Sequence, residues 1–581
     1  MCRLISTAAL LLLFVALSAF GAGPQLRVVV SGLDKPMEQN VRAFMSIAQE
    51  AGRAGLTGPR VRRLYRKSLE ELRTALQPFG YYEPRVESSL EETESGWVAA
   101  YRVDPGRPVR VTKLEVVILG EGADDPALSG LVAKFPLQEG DVFVHARYEE
   151  GKRLLLRSAL NNGYLNSSYA EHQARVYPGR EAVEIRLVLA SGLRFHFGKV
   201  TFSDAVIEPE LVARFSNIKE GEPYSTEKLF ELQNALFDSD YFSRVEVSPR
   251  PEQATGRNVP VFVDLAPSRR HRYSLGIGYG TDTKVRGSLG YNNRRINRRG
   301  HRFRSALRFS RLRESLTVGY IVPFRNPRSD FWEVMATMIN DHPDDNRNEE
   351  TYIIGVNRQV SPRRNWIETW YLDYRRDSFR LGDEFGDTKL LMPGLTIDRI
   401  VGKSRGNVQA GNRITLEFRG GHDNLLSDVS FFQPLLTFKL IQSLARKHRV
   451  LLRGEAAATV IDGFGDLPLS LRYYAGGDTS VRGYGYQRLG PKNSSGDAIG
   501  GKQKLVGSVE YDYLFREKWS VAAFVDTGNA FNQWNDFSLE RGAGFGVRWY
   551  SPVGPLRVDL AWPVSVGDRD PRLHIIFGPE L

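Results

Sequence analysis

From about Arg270 to the C-terminus, apolar and polar residues alternate with a period of two, interrupted by polar turns. In HRYSLGIGYG, Tyr273, Leu275, Ile277 and Tyr279 fall on one side, and Ser274, Gly276, Gly278 and Gly280 on the other. The same parity groups Ile414, Leu416 and Phe418 of RITLEFRGG, Trp519, Val521, Ala523 and Val525 of KWSVAAFVDTG, and Leu573, Ile575 and Phe577 of RLHIIF. Side chains of a strand point alternately to its two faces, so these segments are strands with one apolar face. A helical bundle is excluded for this half of the chain. A soluble sandwich and a transmembrane barrel remain.

Three features favour the barrel. The chain opens MCRLISTAALLLLFVALSAFGAG, with Arg3, an apolar run and small residues at Ala19, Gly21 and Ala22. That is the pattern of a secretory signal peptide, expected over residues 1–22. Cys2, the single cysteine, lies inside it, so the exported chain would carry no disulfide. Tyrosines and tryptophans gather towards strand ends, as in interfacial girdles. The alternating region is also long: roughly 310 residues at about 20 per strand and turn gives about sixteen strands. No later run approaches the ~20 apolar residues of a membrane helix, so any span is made of strands. A net charge of +11 would suit nucleic acid, but the arginines are scattered and the chain is exported, so no nucleic-acid partner is expected.

The N-terminal half repeats itself at roughly eighty-residue spacing. Its third copy runs FGKVTFSDA, IEPELVARFS, EGEPYSTEKLFELQNALFDSDYF, then SRVEVSPRP and NVPVFVDLAPS. The second runs VTKLEVVILGEG, ALSGLVAKF, EGDVFVHARYEEGKRLLLRSALNNGYL, then AEHQARVYP and EAVEIRLVLASG. The first is looser. Each long helix ends in a short hinge: GYY (80–82), GYL (163–165) or DYF (240–242). The predicted order is β-α-α-β-β. In the first copy Val61, Tyr65, Leu69, Leu72 and Leu76 share the helix face that packs on the sheet. A three-stranded sheet has open edges, so each copy is either a spacer or a platform for a strand from another chain.

Parity also places charges. Ser508, Glu510 and Asp512 on one strand, and Ser520, Ala522, Phe524 and Asp526 on the next, lie opposite the apolar rows and face the lumen. Two inward acids on a barrel wall either solvate a wet lumen or hold a basic partner. Just upstream lies YYAGGDTSVRGYGYQRLGP (473–491), a glycine-rich loop with Arg482 at its centre. It could fold back into the lumen.

With these residues in view, the chain resembles a known superfamily. The repeats, with their E-G-[DE] turn and the aromatic pair after the long helix, resemble polypeptide-transport-associated (POTRA) domains. V-R-G-Y at 481–484, F-V-D-T-G at 524–528 and G-V-R-W-Y-S-P-V-G-P-L-R-V-D at 546–559 together resemble the outer-membrane insertase and two-partner transporter superfamily. The resemblance implies three POTRA domains (23–105, 106–191, 192–267) and a roughly 16-stranded antiparallel transmembrane β-barrel (268–581). It also implies that Arg482, flanked by Val481, Gly483 and Tyr484, pairs with Asp526, with Glu510 nearby.

Three POTRA copies and the ending F-G-P-E-L look most like the TamA subfamily, the outer-membrane subunits of translocation and assembly modules. The general insertases usually carry five copies. The two-partner transporters carry two after a plug helix, and no such helix is evident here. The resemblance implies a bacterial outer-membrane location with periplasmic POTRA repeats. It implies client outer-membrane and autotransporter proteins, a TamB-like inner-membrane-anchored periplasmic partner, and a part in moving phospholipid. The alternative is a two-partner-type secretion pore for one dedicated substrate.

No enzyme is expected, since H-E-x-x-H and C-x-x-C are missing and the nine histidines are scattered. No cofactor or metal is expected either. Barrel closure pairs the first strand with the last. Glycine weakens a strand, so the expected lateral seam is a weak one at Gly276 and Gly278 against Ile575 and Phe577.

Overall fold

The computed structural model describes residues 25–577, apart from 54, 95, 204, 403–409, 536–537, 552–553 and 566–569. The signal-peptide segment and the last four residues of F-G-P-E-L lie outside the described residues.

Each repeat folds because one amphipathic helix covers a three-stranded sheet. In the first, strand Gln25–Ser31 leads into helix Lys35–Phe44, the short helix Ser46–Gln49 and helix Gly58–Leu76, then strands Arg85–Thr93 and Gly96–Asp104. Asp34 caps the first helix, its side chain accepting from the Met37 N–H. Pro59 stands in the first turn of the long helix, where its missing N–H costs nothing. Val61, Leu72 and Leu76 are fully buried against Val28, Ala99 and Tyr101, while Tyr65 and Leu69 cover the flank of that core. The strand that comes last in the chain sits in the middle of each sheet. In the first two repeats it runs parallel to the leading strand and antiparallel to the strand before it.

The E-G-[DE] turns have a definite structural task. Gly140 N–H donates to the Val111 carbonyl (2.7 Å), and Val111 N–H returns to the Asp141 carbonyl (2.9 Å). Gly221 and Glu222 do the same with Phe197, both at 2.8 Å. The turn is thus zipped to the first strand of its own repeat. Gly140 and Gly221 sit at φ +91° and +80°, which glycine adopts without strain.

The hinges join each module to the next. Gly80, Gly163 and Asp240 are all left-handed, at φ +94°, +93° and +66°. The carbonyls of Gly80, Gly163 and Tyr241 accept the N–H of Val109, Phe195 and Ser268, each at 2.8 Å, at the start of the following module. A Cβ on Gly163 would stand 3.0 Å from the Tyr224 carbonyl oxygen. A Gly163→Val protein is therefore expected to lose about 1–3 kcal/mol at this joint. Protease cleavage near residues 162–167 should rise while the barrel's own melting is unchanged; equal cleavage of variant and parent would contradict this account of the hinge.

The chain divides into two compact units, with the boundary running through the third repeat. The second unit contains a closed, 16-stranded antiparallel barrel built of neighbours in sequence, from His271–Gly280 to Arg572–Phe577. The two-residue segment Val460–Ile461 adds a short extra pairing to the strand Phe431–Ala445. Tyr273, Leu275 and Ile277 are 77%, 73% and 74% exposed on the outer face, as lipid-facing residues must be. The opposite parity turns polar side chains inward, among them Glu333, Asp377, Asp512 and Asp526.

Candidate functional site

The connection of residues 459–502 folds into the barrel instead of away from it. Leu467 and Leu471 pack against Leu390, Met392 and Phe431 of the inner wall. The Gln433 amide donates to the Leu471 carbonyl (2.7 Å). Val481 is fully buried with Ala475, Leu489 and Val506. These contacts carry Arg482 to the wall formed by the strands Gln503–Arg516, Trp519–Phe531, Glu540–Ser551 and Gly554–Pro563.

There Arg482 uses almost every donor it has. Its Nε and Nη2 grip the Asp526 carboxylate at 2.7 and 2.9 Å, and its backbone N–H donates to the same group at 3.0 Å. Nη1 donates to Glu510 (2.7 Å) and to Asp559 (2.9 Å). The guanidinium lies 3.4 Å from the centre of the Phe524 ring, a close cation–π contact. Arg548 bridges from the far side, donating to Glu510 at 2.8 Å and to Asp559. Arg453 reaches Asp526 at 3.4 Å and also holds the loop carbonyl of Ser480 at 2.9 Å. Three arginines thus face three carboxylates, so the cluster is neutral. Arg482 is 4% exposed and Asp526 is fully buried, so the charges meet in a dry site rather than in a wet lumen. In such surroundings the pairs hold geometry firmly, because a charge left alone would be costly.

The glycines of the wall make this approach feasible. A Cβ on Gly542 would overlap the Arg482 carbonyl oxygen, and one on Gly546 would overlap Asp559. Gly483, at φ +94°, passes within 2.9–3.0 Å of the Trp562–Pro563 backbone, measured from where a Cβ would stand. Tyr484 donates to Glu540 (3.0 Å).

Parity had already turned Glu510 and Asp526 inward, and the structure brings both to Arg482 together with Asp559. Arg548 and Asp559 lie in the motif at 546–559, but sequence reasoning gave them no partner. The charges next to Gly542, Gly544 and Gly546 were the available signal.

The same loop crosses the barrel seam. Among the described residues, the first and last strands share one ladder pair, Gly280 with Ile576. Thr281 N–H donates to the Ile575 carbonyl (3.1 Å), and Ile575 N–H donates to the Thr281 hydroxyl (2.6 Å). Among the described residues, the expected seam glycines Gly276 and Gly278 pair with none of Arg572–Phe577, and the residues that follow Phe577 lie outside the described ones. Asp478 of the loop adds a clasp. Its carboxylate meets the His574 ring at 2.6 Å and accepts the Asp282 N–H at 3.2 Å. Its own N–H donates to the Asp282 carboxylate at 2.7 Å. Gly483 N–H donates to the other nitrogen of His574 (3.0 Å). None of Asp478, Asp282 or His574 stood out in the sequence, since they lie 96 to 196 residues apart in their contacting pairs.

Burial pushes the Asp282 carboxyl up to about 6, the Asp478 N–H opposing and the Asp478 carboxylate adding to the push. A folded-state pKa raised above the free value favours the protonated form. The stabilisation is then present at low pH and lost as pH rises through about 6. The protection factor of the Thr281 amide, with the base-catalysed intrinsic rate divided out, is expected to be higher at pH 5 than at pH 7.5, and Asp282→Asn should remove the difference. Equal protection factors at both pH values would refute the assignment, which takes Asp478 and His574 as the groups facing Asp282.

Residues 397–578 match the Omp85 superfamily domain, residues 27–105 match "POTRA domain TamA domain 1", and residues 195–267 match the surface antigen variable number repeat of the POTRA type. The chain is 23% identical to the outer membrane protein assembly factor BamA of Nitratidesulfovibrio vulgaris, over 94% of this chain and 71% of that one. It is 21% identical to the protein of the same name from Neorickettsia risticii, over 86% and 70%. Its fold is that of the crystal structure of BamA from Haemophilus ducreyi lacking POTRA domains 1–3, with a TM-score of 0.65 at 16% identity, over 81% of this chain and 99% of the other.

Proposed function

From the Omp85 superfamily domain and the POTRA domains that this chain carries, we infer that it is an outer-membrane assembly factor of the TamA kind. In this reading it helps insert or export outer-membrane and autotransporter proteins without chemistry on them. The observation that carries the reading is the seam: among the described residues it has one ladder pair, clasped by a loop whose arginine is anchored on the neighbouring wall. Below Gly280, the first strand pairs with no described residue of Arg572–Phe577, and strand edges of this kind template other strands. Among the described residues, opening the seam would break one ladder pair, whereas any other neighbouring pair of the wall would cost many.

The POTRA repeats would receive an inner-membrane-anchored, TamB-like periplasmic protein, docked first on residues 25–105. Capture of such a partner from a membrane extract by the full chain, lost when the first repeat is deleted, would support this docking. Loss of several unrelated outer-membrane clients on deletion of the gene is the expected phenotype. Loss of one exported substrate, together with a stable open conductance in planar bilayers, would instead assign a two-partner-type secretion pore.

A further inference from the structure

The turns of the barrel are sorted by charge. One rim is marked by its contacts with the third repeat. The Tyr241 hydroxyl donates to the Gly300 carbonyl, the Glu208 N–H to the Arg298 carbonyl (2.8 Å), and the Arg214 side chain to the Phe324 carbonyl (3.1 Å). In an antiparallel barrel every second connection returns to the same rim. Here these connections read RRINRRGH (294–301), FRNPRS (324–329), SPRRN (361–365), RK (446–447) and EK (517–518), and their one acid is Glu517. Arg294 and Arg299 answer Asp240 and Glu208 of the third repeat, at 3.4 and 4.0 Å. Two connections that fall partly or wholly outside the described residues, GKSRGNVQ (402–409) and PV (552–553), add two cations and no acid by sequence. Even two negative charges from GPEL (578–581) leave this rim strongly positive. The opposite rim is the reverse. Its turns TDT (281–283), DN (345–346), GD (382–383) and HDNLLSDVS (422–430) bear five aspartates and no arginine or lysine, and only RL (311–312) among its short turns brings in a cation, Arg311.

The neighbours of the positive rim set its depth in a bilayer. Exposed aromatic side chains stand beside its basic turns: Trp366 follows Arg363 and Arg364, Tyr513 precedes Arg516, and Trp519 follows Lys518. The Trp519 and Trp549 rings lie 6.2 Å apart on neighbouring strands. Three histidines join the same band. Each ring meets, through Nδ1, the hydroxyl of a tyrosine on the adjoining strand: His271 with Tyr291 (2.9 Å), His301 with Tyr320 (2.7 Å) and His448 with Tyr511 (2.6 Å). Amphipathic rings of this kind settle at the level of lipid headgroups. The exposed cations of the turns therefore stand at the level of the phosphates, with long stems to reach them.

We propose that this rim is a belt that binds anionic phospholipid, holding the headgroups of the adjacent leaflet through Arg363, Arg364, Arg446, Lys447, Arg516 and Lys518. Guanidinium forks match phosphate oxygens in geometry and charge, and lysine adds a point charge. Basic side chains beside a membrane span are drawn to anionic lipid over about a Debye length. A zwitterionic lipid brings its own cation and gains less. The aspartates of the opposite rim repel the same headgroups, so the two rims together favour one orientation of the barrel. The aromatic band favours lipid over an acidic protein as the occupant, because it holds the cations where phosphates already surround them. The belt requires that the barrel sit in a bilayer, but not that it assemble proteins, so loss of the assembly reading would leave it standing.

The test uses the full chain in vesicles whose two leaflets both hold phosphatidylcholine doped with phosphatidylglycerol. A photoreactive group is carried on Leu444→Cys, an exposed site beside Arg446, or on Leu425→Cys, an exposed site on the opposite rim. Mass spectrometry reads the lipid adducts. At residue 444 the adduct is expected to be richer in phosphatidylglycerol than the vesicle by roughly fivefold, the factor that one basic side chain supplies at an anionic surface. At residue 425 it should be no richer than the vesicle. Arg363→Gln, Arg364→Gln, Arg446→Gln, Lys447→Gln, Arg516→Gln and Lys518→Gln together should bring the adduct at 444 to the vesicle's own proportions. Equal enrichment at both rims, no enrichment or no lipid adduct at 444, or enrichment that survives the six substitutions overturns the proposal. If that variant does not fold, as judged by heat-modifiability, the protein with the probe at 444 and every cation in place is read in ~1 M salt, where charges are screened beyond about 3 Å. Enrichment that falls with salt supports the belt, and enrichment unchanged by salt ends it.

Discussion

An Arg482→Ala protein is expected to release its lumenal loop. Protease should cut within residues 459–502 where the parent resists, and the barrel should lose its heat-modifiable shift or show it at a lower temperature. The POTRA repeats should be unaffected. The effect is large because the substitution removes one member of a dry, neutral cluster. Asp526, Glu510 and Asp559 would remain buried with only Arg548 and Arg453 to answer them. Removing one partner from a buried ion pair typically costs about 3–5 kcal/mol. The Phe524 contact is lost as well. Arg482→Lys should lie between the two. It keeps the charge, but an ammonium cannot grip Asp526 with a planar fork while also reaching Glu510 and Asp559. Unchanged protease resistance in the alanine protein would show that the apolar contacts of Leu467, Leu471 and Val481 hold the loop by themselves.

Locking the seam is expected to abolish assembly activity. Gly280 and Ile576 face each other across an antiparallel pair. Their Cα atoms are then about 4.5–5.5 Å apart, inside the range that a disulfide spans. The only native cysteine is Cys2, in the expected signal peptide, so Gly280→Cys with Ile576→Cys gives two thiols that can find only each other. The oxidised protein should insert no client strands into vesicles, and reduction should restore it. Each single-cysteine protein controls for crowding, because a Cβ at 280 comes within 2.9 Å of the Thr283 hydroxyl. Full activity while oxidised would mean that clients enter without using this seam. In the opposite direction, His574→Ala removes the ring that links Asp478 and Gly483 to the last strand. It should make the seam easier to open without disturbing Arg482.

Much of this architecture was legible because it rests on short-range rules. Period-two alternation says which residues of a strand share a face, and that was enough to turn Glu510 and Asp526 inward. The repeated hinge was equally readable, since a left-handed residue after a helix favours glycine, or asparagine and aspartate in its place. The repeats use Gly80, Gly163 and Asp240 for it. At the seam the glycines were visible but the register was not, and among the described residues the pair falls at Gly280.

The amino-acid sequence by itself determined the strands, their inner and outer faces, the repeated helix-on-sheet modules, and the presence of an arginine on a flexible loop before two inward acids. Each of these follows from a neighbour a few residues away. Only the tertiary structure decided that Arg548 and Asp559 complete the arginine's site and that Asp478 clasps Asp282 and His574. Those groups meet because the barrel closes. Closure sets the register of strands hundreds of residues apart, and no local pattern of side chains encodes that register.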